Sequence, residues 1–208
     1  NSMKQRIIFL LLFVLTAVMV QAQDWSNYRL WELYPGYVVK NDGEIVEGYI
    51  EAQKRGCIGS YITSNQTNVN FFTDPDDRRA KVVYTPDYVK AYVIGDKYYK
   101  SMHYSGGLMS KPMRFLLQIS DGYISKYVWY EPNETNTGYE DKIVYQKGDE
   151  MPIEMTSLML NFTDKVSKLV AEDVELAQKV LKKEKGYGRL NIDKIIAEYN
   201  TWYRNNMR

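Results

Sequence analysis

The chain of 208 residues holds one histidine, His103, and one cysteine, Cys57. That scarcity bounds the chemistry open to it. A Ser-His-Asp device needs a histidine with a serine and a carboxylate brought beside it. Ser101, His103 and Ser105 alternate in sequence and would share one face of a strand, with Asp96 nearby. No nucleophile-elbow glycine pattern surrounds either serine, so His103 reads as a surface strand histidine. Cys57 lies in Lys54-Arg55-Gly56-Cys57-Ile58. The cations there would favour a thiolate, but the plainer reading is a small half-buried apolar residue. With one cysteine the chain has no internal disulfide. One Cys and one His do not make a zinc site without carboxylates that nothing in the sequence selects. The acidic loop Asp74-Pro75-Asp76-Asp77 lacks the glycine and distal glutamate of a calcium loop. There is no phosphate-cradling glycine loop, and no carboxylate pair stands out for glycoside hydrolysis. The chain is expected to be non-catalytic, with no catalytic residue, metal or cofactor assigned.

The tyrosines are the other chemical resource, 19 of them. A tyrosine offers a flat apolar ring and a polar tip, which suits sugar stacking and protein interfaces. Aromatic residues also pack well in sheets. Tyr98, Tyr99 and Tyr104 fall on one expected hairpin, and Tyr123, Tyr127, Trp129 and Tyr130 on another. A two-residue turn at Asp121-Gly122 would pair Ser120 with Tyr123. One face would then carry Met113, Phe115, Leu117 and Ile119 opposite Tyr130, Val128, Lys126 and Ile124, and is expected to be core. The other would set Arg114 against Trp129, Leu116 against Tyr127 and Gln118 against Ser125, with the Arg114 guanidinium over the Trp129 ring. Tyr123, Tyr127, Trp129 and Arg114 are therefore the candidate binding residues.

The elements that must position these residues are mostly strands. Trp25, Tyr28, Trp31 and Tyr34 recur every three residues and allow a turn of amphipathic helix. From Gly36 the runs shorten, with turn signals between them. Strands are expected over 37–40, 45–50, 82–84, 88–94, 97–104, 113–120, 123–130 and 143–146, with Asp42-Gly43, Gly95-Asp96 and Asp121-Gly122 at tight turns. After Pro152 the period turns helical. Met155, Leu158, Met159, Phe162, Val166, Leu169 and Val170 form one stripe; two more segments run over 173–185 and from Asn191. The class is α+β: an antiparallel β-meander curling into a small barrel or sandwich, then two or three C-terminal helices docked on the sheet, with Phe162, Leu169, Ile195 and Ile196 buried.

The N-terminus reads as an export signal. Lys4 and Arg6 precede an apolar run from Ile7 to Val20, and Val20-Gln21-Ala22 offers a cleavage site. The run is 14 residues, short of the roughly 20 that span a bilayer. No cysteine stands near the site to take a lipid. The organisation expected is a signal peptide over 1–22, a β domain over 23–150 and a helical segment over 151–208, with periplasm or cell surface as the destination. Cleavage takes Lys4 and Arg6 from the 27 basic side chains, leaving 25 against 26 acidic ones, a net charge of −1. That excludes the electrostatic footprint of a nucleic-acid binder and predicts no strong pull to anionic lipid. No later segment is apolar enough to be a transmembrane helix.

Three stretches carry a resemblance: Gly36 to Ile50 with its Asp42-Gly43 turn and Gly48, Tyr84 to Tyr92, and the tail from Glu172-Asp173-Val174 through Ile196-Ala197-Glu198-Tyr199-Asn200. Over residues 36–200 the chain resembles a family of secreted proteins of Bacteroidetes bacteria. The resemblance implies export, an opening β-hairpin and a closing helix that ends on Tyr-Asn; it implies no activity. Asp42-Gly43 with Gly48 is also similar to the first motif of Sm-like small barrels, where a strand glycine permits bending. The function expected is that of an exported envelope accessory protein binding a protein or cell-envelope component. The alternative is a glycan or small-ligand module using an aromatic face, and an envelope hydrolase comes last. An open sheet edge or flat apolar patch would favour a protein partner. Exposed tyrosine rings along a groove would favour glycan.

Overall fold

A computed structural model describes residues 25–53, 64–104, 112–133, 135 and 138–207. The expected signal peptide, Cys57 and Ser105 lie outside the described residues. The protein is α+β. Its ten-stranded antiparallel sheet comprises β1 (Leu33–Lys40), β2 (Ile45–Glu51), β3 (Val69–Phe72), β4 (Val82–Tyr84), β5 (Val89–Ile94), β6 (Lys97–His103), β7 (Met113–Ser120), β8 (Ile124–Pro132), β9 (Tyr139–Lys147) and β10 (Ile153–Glu154). The strand order is β10-β9-β8-β7-β6-β5-β1-β2-β3-β4, a ladder that does not close, with β10 and β4 at its two ends.

The turns follow local chemistry. Gly43 takes φ +95° at the β1–β2 tip, where the Asp42 carboxylate accepts from the Glu44 N–H at 2.9 Å. Gly95 (φ +56°) and Asp96 join β5 to β6, pairing Ile94 with Lys97. Gly36 and Gly48 face each other across β1 and β2 for a packing reason. A Cβ on Gly36 would lie 2.0 Å from the Val93 carbonyl oxygen, and one on Gly48 2.5 Å from the Phe71 ring.

Other readings need correction. Residues 25–32 form turns instead of helix, with Trp31 at φ +66°. The three-residue spacing of their aromatics serves a cluster in which Trp25 meets Tyr28 edge-on at 5.1 Å and Tyr28 lies 4.6 Å from Tyr34. The β7–β8 connection is not the two-residue Asp121-Gly122 turn. Tyr123 stands outside both strands, so three residues link Ser120 to Ile124. The cause is local. The Tyr123 carbonyl accepts from the Gly148 N–H at 2.7 Å, its ring stacks on Tyr203 at 3.6 Å, and the Ser125 hydroxyl donates to the Gly122 carbonyl. β3, four residues long with Asn70 among its apolar positions, had no periodic signal to reveal it.

Four α-helices occur among the described residues: α1 (Met155–Leu160), α2 (Phe162–Leu169), α3 (Val174–Leu181) and α4 (Ile192–Asn206). The continuous stripe from Met155 is broken at Asn161, whose φ −138° and ψ 60° leave the helical region. Asp173 caps α3 by accepting from the Leu176 N–H at 3.1 Å.

The chain divides into two compact units. One takes the described residues up to 120 together with 129–141; the other takes 121–128 and 142 onward. The core of the first includes Val38, Ile50, Phe71, Tyr92, Tyr99, Phe115 and Leu117. In the second, Phe162, Leu169, Ile195 and Ile196 are buried as expected, in one cluster with Ile124 of β8 and Tyr145 of β9.

Candidate functional site

The sequence-nominated residues fall in both units, Arg114 and Trp129 in the first and Tyr123 and Tyr127 in the second. The Arg114 guanidinium does lie over the half-buried Trp129 ring, at 5.6 Å, with Tyr104 at 6.1 Å from the same ring. Tyr127 is only 2% exposed and has no ring face to offer a ligand. Tyr123 is stacked against Tyr203. A glycan platform needs free ring faces, and these rings are covered or stacked by the protein itself. His103 is exposed at the end of β6, and the Ser101 hydroxyl donates to the Val89 carbonyl, which commits it to structure.

The buried polar groups are engaged in holding segments together. In the first unit Lys97, 1% exposed, donates to the Asp96 carboxylate at 2.9 Å and lies 5.5 Å from the Trp25 ring and 5.6 Å from the Tyr28 ring. The Tyr28 hydroxyl donates to the Asp96 carboxylate, and that donation ties the N-terminal turns to the β5–β6 tip. Burial, and then the Asp96 carboxylate, push the Tyr28 hydroxyl well above the ordinary tyrosine range. Burial works to raise Asp96, but hydrogen bonds from Lys97 and Tyr28 outweigh it and hold the carboxyl below its usual range.

In the second unit the Lys147 ammonium, on a residue 8% exposed, donates to the Leu169 carbonyl at 2.8 Å and to both Glu172 oxygens at 2.7 Å. The Tyr199 hydroxyl donates to Glu172 at 2.9 Å. Burial opposes ionisation of Glu172, yet the bonds from Lys147, its own backbone and Tyr199 keep its pKa lowered. Lys126 and the Tyr145 hydroxyl both donate to Asp193, at 2.9 and 3.0 Å. Among the described residues no group of three or more His, Cys, Asp or Glu could hold a metal.

Two surface features remain. The first is β4, which ends the sheet and, among the described strands, pairs with β3 alone, through Val69–Tyr84, Asn70–Val83 and Phe71–Val82. Val82 and Val83 are 43% and 49% exposed. No described strand pairs with the outer edge of β4. The second is an open cleft of about 620 Å³ within the second unit. Leu160, Phe162, Leu181 and Tyr187 supply its apolar lining, and Lys183, Arg189 and Asp164 its charged groups, the Asp164 carboxylate being paired with Lys168. Sequence reading missed both. Val82-Val83 was legible as a strand, but its place at an edge was not.

No protein family, no curated protein and no solved structure matches this chain.

Proposed function

We propose that this is an exported envelope accessory protein that binds a protein partner without catalysis, and that the partner adds an extended segment to β4. The observation that carries the reading is the open sheet edge. An edge strand presents unpaired N–H and C=O groups as a template for another chain. In strand addition the main-chain bonds provide affinity and alternate side chains provide selectivity. Val82 and Val83 present apolar side chains at that edge, and exposed valines on an edge strand are what soluble sheets otherwise avoid. Lys81 and Arg79 precede the strand and are exposed, so an acidic flank on the incoming segment would be favoured. The glycan alternative has lost Tyr127, and the hydrolase reading has lost the Ser101 hydroxyl to the Val89 carbonyl.

The test uses the double variant V82K/V83K. Both positions are exposed, so stability should change by no more than about 0.5 kcal/mol each. Tagged protein recovered from its own envelope should carry a partner that the variant does not retain, at an unchanged melting temperature. A partner retained equally by wild type and variant would sink the strand-addition reading.

A further inference from the structure

The cleft of the second unit stands among residues that a solvent-facing surface does not explain. Leu160 is 83% exposed, Leu181 46% and Leu190 fully exposed. Singly exposed leucines are ordinary, but Leu160 and Leu181 line the same cleft, and Leu190 follows the cleft residue Arg189. Within 182–189 the chain carries Lys182, Lys183, Lys185 and Arg189 against one acid, Glu184. These four cations form no ion pair or side-chain hydrogen bond with any described residue. The neighbouring lysines differ: Lys168 pairs with Asp164, Lys179 with Glu175 and Lys194 with Glu198.

The segment is held by its own backbone bonds. Lys183 at φ +55° and Gly186 at φ +88° turn the chain after α3, with the Glu184 N–H donating to the Lys179 carbonyl. Tyr187 is pinned by the Lys194 ammonium, 4.1 Å from its ring, and by a hydroxyl bond to Glu198. The backbone that carries these cations is therefore held in place.

We propose that this surface of the helical unit docks on an anionic membrane surface. Leu160 and Leu190 enter the headgroup–acyl boundary, while Lys182, Lys183, Lys185 and Arg189 meet lipid phosphates. Apolar tips ringed by cations are the chemistry of interfacial binding. A bilayer fits better than an acidic peptide, because Leu190 is wholly exposed, whereas a peptide groove would recess its apolar contacts. The near-neutral charge of the whole chain does not oppose this. Screening confines the field to about 10 Å at moderate salt, so a lipid surface senses the local excess of cations. The docking is independent of strand addition at β4.

The experiment is vesicle sedimentation with the chain from Gln23, which contains every described residue. The vesicles are equal parts phosphatidylglycerol and phosphatidylcholine, against phosphatidylcholine alone. Wild type should pellet with the anionic vesicles at low salt and be released at high salt. K183E/R189E should weaken binding about tenfold or more. Leu190 is fully exposed, so L190S should weaken binding without changing the melting temperature, and L190W should show a blue-shifted emission on anionic vesicles. Equal pelleting with both lipids, no pelleting, or binding indifferent to both K183E/R189E and L190S overturns the proposal. So does binding of a soluble leucine–glutamate peptide in place of vesicles.

Discussion

Two side-chain amides do at single positions what strands do along their length. Gln66 accepts from the Tyr130 N–H at 2.8 Å and donates to the Tyr130 carbonyl at 2.9 Å. Asn200, on α4, accepts from the Ile124 N–H at 2.8 Å and donates to the Ile124 carbonyl at 2.9 Å. Both target residues are fully buried. Substituting either amide by alanine orphans one buried donor and one buried acceptor, so Q66A and N200A should each cost about 3 kcal/mol in urea unfolding. A loss below about 1 kcal/mol would mean that water replaces the amide. The Tyr199-Asn200 pair that ends the resembled tail thus has a physical basis: the tyrosine holds Glu172 and the asparagine holds β8. The same scale sets an acid dependence. Glu172 has a lowered pKa in the folded protein, so its contribution is present at neutral pH and is lost as pH falls through the carboxylate range toward the folded value. K147M should lower the melting temperature at neutral pH and flatten its decline between about pH 5 and 3. Y199F should flatten it less. A K147M curve parallel to wild type would remove Glu172 from the acid response.

Among elements, the helices depend on the strand segments they cover. α1 to α3 are each eight residues or fewer, too short to persist alone in water. Their stability comes from the shared cluster of Phe162, Val166, Val180, Ile195 and Tyr199 with Ile124 and Tyr145. A chain ending at Glu150 uncovers that cluster, and it should aggregate or melt well below wild type in calorimetry. An unchanged melting temperature would show the helices to be dispensable. The helical stripe from Met155 was legible because its period is local. The break at Asn161 was not, since Asn161 is an ordinary residue inside an unbroken apolar pattern and its backbone angles answer to packing.

For the whole molecule, export is the expectation with the widest consequence. Protein recovered from its native host should begin at Gln23 or Asp24 by N-terminal sequencing; a chain still carrying residues 1–22 would contradict it. By itself the sequence determined the α+β class, the positions of β2, β4, β5, β6 and β7, the C-terminal half of β1, the turns at Gly43 and Gly95, and a helical tail with Phe162, Leu169, Ile195 and Ile196 inside. These are readable because alternation, helical period and the positive φ of a turn glycine are set by neighbours within a few residues. Only the tertiary structure decided that Tyr127 is buried, that Lys97 and Lys147 are enclosed, that β4 ends the sheet, and that Leu160 and Arg189 line one cleft. Such features, like the amide bonds between Gln66 and Tyr130, 64 residues apart, and between Ile124 and Asn200, 76 apart, depend on segments distant in the chain. A single sequence holds the residue types of such pairs but no term that brings one to the other; the closure of the chain on itself supplies that.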